Sequence, residues 1–278
     1  ESGANALSID AASITGLATV NQKGSTAAGD VTISNLLNIV DAQMTASNSG
    51  DLILTYQTAA KAGTADVQAL TLNGNTAGQL RADGMETIAI TTAGLSSKAT
   101  LRSDAVTKVT IAGDQDLDLT ASTTFAVLTD TATVASTIDA SALTGKLTVN
   151  VGDVSTVEVK GGTADDTIKM AGTLETNDII DGGDGTGDTL TMTAAALTTQ
   201  FTNVSNIETV AFNASTDATA MDVSKLSAGV TTVQVDISDD TDGTTTETTT
   251  ISNLVSQSVT VKHTVADAGT DGDGDGAD

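Results

Sequence analysis

Apolar and polar residues alternate in short runs along most of this chain. Examples are Lys108-Val109-Thr110-Ile111, Lys146-Leu147-Thr148-Val149-Asn150-Val151, Thr156-Val157-Glu158-Val159, Thr189-Leu190-Thr191-Met192 and Thr232-Val233-Gln234-Val235-Asp236-Ile237. A period of two puts every second side chain on the same side of an extended backbone, so each run predicts a short β-strand with one buried face. Short turns of Gly, Asp, Ser and Asn separate the runs. No long amphipathic helix is evident. The segments 35–44 and 194–201 fit a short helix and an apolar strand equally well.

Weak internal repeats accompany the strands. Gly84-Met85-Glu86-Thr87-Ile88 resembles Asn206-Ile207-Glu208-Thr209-Val210, with Val154-Ser155-Thr156-Val157-Glu158-Val159 a looser relative, and Gly63-Thr64-Ala65-Asp66-Val67 echoes Gly162-Thr163-Ala164-Asp165-Asp166. Repetition on this scale predicts stacked coils rather than separate enzyme domains. The expected fold class is therefore all-β, a parallel β-solenoid or β-roll with additional β-layer segments. Residues 1–95 read as a less regular β-rich segment and 96–215 as the most solenoid-like. Residues 216–278 read as a small β-layer, two strands joined by the acidic loop 238–250, with an acidic tail.

Composition narrows this picture. The 278 residues carry 36 Asp and Glu against 11 Lys and Arg, a formal net charge of −25, with 1% aromatic residues, no proline and no cysteine. High charge with few aromatics suits disorder, but 39% hydrophobic residues and a mean hydropathy of +0.06 favour a folded chain. Self-repulsion of this size is relieved when divalent cations bind the folded state. Nucleic acid is excluded as a natural partner, since its phosphates are repelled. A core of Thr, Val, Ala, Ser and Gly is thin, as in a solenoid. Without cysteine there is neither a disulfide nor a thiolate site, which leaves cations and assembly to stabilise an exported protein. No apolar run approaches the ~20 residues of a membrane-spanning helix. The beginning at Glu1 and the ending in Asp271-Gly272-Asp273-Gly274-Asp275-Gly276-Ala277-Asp278 read as cuts in a longer polypeptide.

Two glycine-aspartate turns concentrate the candidate chemistry: Gly161-Gly162-Thr163-Ala164-Asp165-Asp166-Thr167-Ile168 and Asp181-Gly182-Gly183-Asp184-Gly185-Thr186-Gly187-Asp188-Thr189-Leu190. Each offers carboxylates and exposed carbonyls on a tight turn before a strand, which suits a hard cation with oxygen ligands, calcium above all. The candidate ligands are Gly162, Ala164, Asp165 and Asp166 in the first turn, and Asp181, Gly183, Asp184 and Asp188 in the second. Gly161 and Gly182 are 21 residues apart, close to one coil of a β-roll, so the two turns are expected to stack on one edge and share an ion. The tail adds Asp271, Asp273 and Asp275, which also fit the opening of a calcium loop. Asp236, Asp239, Asp240 and Asp242 form a further acidic cluster. Ordinary β-turns call for the same residue types. Catalytic patterns are lacking, His263 is the single histidine, and the sequons at Asn203 and Asn213 are short enough to arise by chance.

At these turns the chain resembles the nonapeptide repeats of bacterial RTX proteins, G-G-x-G-x-D-x-U-x. Gly161, Gly162, Asp166 and Ile168 match in the first copy, where Ala164 replaces the third glycine. Gly182, Gly183, Gly185 and, after one inserted residue, Asp188 and Leu190 match in the second. The surrounding texture, as in Ser136-Thr137-Ile138-Asp139-Ala140-Ser141-Ala142-Leu143-Thr144-Gly145 and Asn203-Val204-Ser205-Asn206-Ile207-Glu208-Thr209, resembles calcium-dependent bacterial S-layer proteins. That resemblance implies a non-enzymatic structural subunit at the bacterial cell surface, calcium as cofactor, self-assembly into an array, and a cell-surface polysaccharide or glycan as a further partner. Secretion in that family uses a C-terminal signal, which is not seen here. The rival readings are an RTX-type adhesin or surface filament module, and a non-catalytic accessory region of a secreted hydrolase.

Overall fold

Each alternating run forms one strand, and its apolar residues turn inward. In Leu147–Val151 the side chains of Leu147, Val149 and Val151 are buried, while Thr148 and Asn150 remain partly exposed. Branched Val, Ile and Thr suit such a strand because their crowded Cβ packs well on a pleated surface. The computed structural model describes residues 5–120, 136–151, 156–170, 174–193, 201–214, 218–238 and 248–264. Among these residues every strand pairing is parallel. The strands build sheets of nine, eight, five and two strands, and consecutive described strands of the chain always belong to different sheets. Parallel neighbours need a crossover between them; here the crossover is the strand on another face, and the chain winds as a β-solenoid of about nine coils.

Register stacks like on like. Along the eight-stranded sheet Leu119, Val149, Ile168, Leu190, Val210, Val233 and Val259 are successive partners. From Val149 to Val233 those partners are 19, 22, 20 and 23 residues apart. Leu7, Val31, Leu52, Leu80 and Leu101 form the matching column of the five-stranded sheet. Burying each such aliphatic side chain contributes roughly 1.5–3 kcal/mol, so the stability of the molecule lies in these columns. At the ends the columns surface: Leu7 is 42% exposed and Val259 38%.

The nine-stranded sheet runs from Thr19–Lys23 to Val204–Ser205, across the change of texture near residue 96. At that change the five-stranded sheet ends with Thr100–Arg102 and the eight-stranded sheet begins with Ser97–Lys98, the chain bending at buried Ala99. The segment 35–44 forms no helix: it spans the end of the strand Val31–Leu36 and the start of Asp41–Thr45, with Asn35 at φ 57 breaking the first. Most of the other helix candidate, residues 194–200, lies outside the described residues. Of the two strands expected as a separate C-terminal layer, over residues 231–237 and 251–261, the first is Thr232–Ser238. The second falls partly on Thr248–Ser252, which pairs with Ala218–Asp222, and partly on Ser258–Thr264. Thr232–Ser238 and Ser258–Thr264 are the last two strands of the eight-stranded sheet. They continue the solenoid because Val233 and Val259 extend its apolar column. Residues 239–247 of the acidic loop, with Asp239, Asp240 and Asp242, lie outside the described residues, and Asp236 belongs to the strand Thr232–Ser238. Among the described residues no helix is long and apolar enough to cross a membrane.

Polar groups inside the early coils are amides and hydroxyls. Buried Gln22 donates from Nε2 to the carbonyls of Gly29 and Asp51, both at 3.1 Å. Asn48 donates to Gly50 O and to Asn75 Oδ1, both at 2.9 Å, and Asn75 donates to Lys98 O at 2.6 Å. Tyr56 donates its hydroxyl to Gln68 Oε1, 2.5 Å away. Burial pushes this phenol up to about 12, so it remains a donor. These ladders tie coil to coil where backbone groups at the corners lack strand partners.

Candidate metal centre

The two glycine-aspartate turns stack on one edge, as their spacing predicts. Gly161 N–H donates to Asp181 O (2.8 Å), Asp184 N–H to Gly162 O (2.9 Å), and Gly182 N–H to Ser205 O (3.0 Å). The glycine pairs lie so close that side chains have no room. A Cβ on Gly161 would strike the carbonyl of Gly182, one on Gly182 that of Asn206, and one on Gly183 that of Gly162. Gly183 also sits at φ +104, in the region that L-residues avoid.

A column of carboxylates rises beside the glycines. Asp166, Asp188 and Glu208 each immediately precede a strand of the eight-stranded sheet, and the next residues, Thr167, Thr189 and Thr209, are register partners. Each carboxylate reaches back to the preceding coil. Asp166 accepts from Leu147 N–H (2.7 Å) and Gly162 N–H (2.5 Å), Asp188 Oδ1 from Asp166 N–H (2.6 Å), and Glu208 Oε2 from Asp188 N–H (2.9 Å). The corner N–H groups would otherwise lack acceptors, and a charged acceptor bonds them strongly.

Asp188 differs from its neighbours. Its side chain is completely buried, yet Oδ2 has no hydrogen-bond partner. Burial pushes the Asp188 carboxyl up to about 6, with the charges of Asp166, Glu208 and Asp165 adding to the effect. The Asp166 carboxyl is also raised, by burial, against the pull of its N–H donors. The bare oxygen faces a small cradle. The point where a Cβ on Gly185 would lie is 2.6 and 2.7 Å from the two oxygens of Asp188 and 2.7 Å from the carbonyl oxygen of Ala164. The two carboxylate oxygens of Asp188 and the carbonyl oxygen of Ala164 thus converge beside Gly185, where no side chain intervenes. Oxygens so gathered, with a negative charge left uncompensated, suit a hard divalent cation bound alongside them.

The other candidates divide. Asp165 lies across the second turn, its Oδ1 accepting from the N–H groups of Thr186 and Gly187, both at 2.9 Å. Asp181 is used within the turn, accepting from Gly183 N–H (3.2 Å) and Asn206 Nδ2 (2.7 Å). The Asp184 side chain is exposed. Asp271, Asp273 and Asp275 lie outside the described residues. The structure thus brings Ala164 and Asp188 together at the cradle, while Asp165 and Asp166 lie close enough to raise Asp188 but accept backbone N–H groups instead. Gly162 and Gly183 belong to the stacked glycine pairs, and Asp181 and Asp184 are not among the cradle's oxygens. Among the described residues no three acidic or histidine side chains form a ready-made cation cage, so backbone carbonyls would complete any ligand set. Gly185, read from sequence only as a repeat glycine, and Glu208, read only within a repeat segment, are additions to the candidate site residues. The signal for Glu208 was the likeness of the segments around Glu86 and Glu208: Glu86 Oε2 accepts from Asp66 N–H at 2.8 Å, as Glu208 does from Asp188.

A second concavity, an open cleft of about 400 Å³, lies where the eight-stranded sheet begins, between Asn75, Lys98, Asp116, Asp118, Lys146 and Thr148. Lys98 Nζ stands 3.4 Å from Asp118 Oδ2. Burial works to raise the Asp118 carboxyl, but donors from Thr120 and the Lys98 ammonium outweigh it and hold the group low. His263 lies in the strand Ser258–Thr264. No protein-family model, curated protein or solved structure matches this chain.

Proposed function

We propose that this chain is a structural β-solenoid module of a bacterial cell-surface array, of S-layer type, and that calcium binds at the corner formed by Ala164, Gly185 and Asp188. The observation that carries the calcium reading is the buried, unpartnered Oδ2 of Asp188 in its cradle of oxygens. The array reading rests on the S-layer resemblance and on an acidic surface that packs against copies of itself only when cations neutralise it. Calcium binding the folded chain, and not the repelling unfolded one, converts binding free energy into folding and assembly. An affinity of order 10⁻⁴–10⁻³ M suffices for an extracellular site. The role is structural rather than catalytic.

The test is a calcium titration of metal-stripped protein followed by circular dichroism and light scattering, with electron microscopy of the product. Gain of β-signal with growth into ordered sheets, reversed by EGTA, is the expected result. An array that persists in excess EGTA would sink the proposal. The cleft between Lys98 and Lys146 favours the adhesin reading as the alternative. Folding on calcium without particle growth, together with saturable glycan binding, selects it.

A further inference from the structure

The polar side chains buried in this solenoid change chemistry along the chain. Up to residue 103 the buried ones are all neutral, Gln22, Asn48, Gln68, Asn75, Thr92 and Ser97 among them. Beyond residue 160 the described ones are all carboxylates: Asp166, Asp178 and Asp188. We propose that the solenoid is built in two parts. Coils within residues 19–113 fold without a cation, and coils within residues 157–214 become ordered only when calcium occupies the Asp188 corner. This inference rests on the calcium reading given above.

Neutral amides hold the early coils through hydrogen bonds alone and need no counter-ion. Two oxygens there lack partners, Gln22 Oε1 and Asn48 Oδ1, but an uncharged acceptor left bare costs far less than a charged one. In the later coils Asp178 is satisfied by the N–H groups of Val157 and Glu175, and Asp166 by those of Leu147 and Gly162. Asp188 is not satisfied, and it stands in line with Asp166 and Glu208 on the adjacent coils. Strands in a sheet are about 4.8 Å apart, so three like charges are stacked at close range. The ion pairs among the described residues, Arg81–Asp83, Lys98–Asp118 and Lys160–Glu158, do not involve this column. In a solenoid each coil touches only its neighbours and stability adds up locally. The penalty therefore stays in the coils that carry it, and the early coils do not feel it.

Hydrogen exchange of the 278-residue protein, read by mass spectrometry in EGTA and in millimolar calcium, tests the proposal. Peptides within 31–113 should be equally protected in both, while those within 157–214 should gain about tenfold or more with calcium. Asp188→Asn keeps the acceptor for Asp166 N–H but removes the charge, so its later coils should be protected already in EGTA. Equal gains in both parts would overturn the two-part build and leave calcium binding standing. Absence of any gain would remove the calcium reading and this inference with it. A wild-type calcium response in Asp188→Asn would overturn the assignment to that corner.

Discussion

At the scale of single residues, the molecule turns on one carboxylate. Asp188 is raised to about 6 in the folded chain, above the ~3.9 of an unfolded aspartate. The folded state therefore holds this proton more tightly than the unfolded state does. Its contribution to stability is complete below about pH 4 and is lost as pH rises through about 6. In EGTA, urea unfolding midpoints should fall between pH 4 and pH 7 more steeply in the wild type than in Asp188→Asn. Parallel pH profiles would show that the buried charge is of no consequence. The candidate site was only partly legible at this scale. The G-G and G-x-x-D patterns located the turns, because tight stacking admits only glycine and a corner N–H calls for a carboxylate. Which aspartates face inward was not legible. Asp184 and Asp188 look alike in sequence, but only Asp188 directly precedes a strand in register with Thr167 and Thr209.

At the scale of elements, alternation was a sufficient guide. Thr189-Leu190-Thr191-Met192 and Thr232-Val233-Gln234-Val235 became strands because half of each run had a column to join. The first ninety residues looked less regular for a physical reason. Their coils are held partly by buried Gln and Asn, which interrupt apolar alternation, and one coil carries the short helical turn Thr58–Lys61. Sheet membership was likewise invisible, since the handover at Ala99 depends on a bend between two strands of two and three residues. Coil stacking itself makes a prediction. Gly161→Ala drives a methyl group into the Gly182 backbone, which cannot swing aside as a side chain can, and should cost about 2 kcal/mol or more. Gly229→Ala, whose new methyl would be 3.5 Å from Ile207 O in ordinary contact, should stay within about 0.5 kcal/mol. Equilibrium urea denaturation at pH 7 in calcium distinguishes the two, and equal effects would contradict the close approach.

At the scale of the whole molecule, the charge of −25 opposes compaction everywhere. Ordinary salt should therefore stabilise the metal-free chain: raising NaCl in EGTA shortens the Debye length from about 30 Å at 0.01 M to about 3 Å at 1 M. Melting temperature should rise monotonically over that range, and a flat response would mean that repulsion is already compensated within the fold. The coil spacing also has a mechanical consequence. A coil of 19–23 residues adds only about 4.8 Å to the axis, but pulled straight it spans roughly 60–80 Å. Tension applied to the two ends of the chain would peel coils off one at a time, each lengthening the tether more than tenfold over its folded share. Such a molecule is a reel of stored slack, able to yield under shear in small steps and rewind when the load is released.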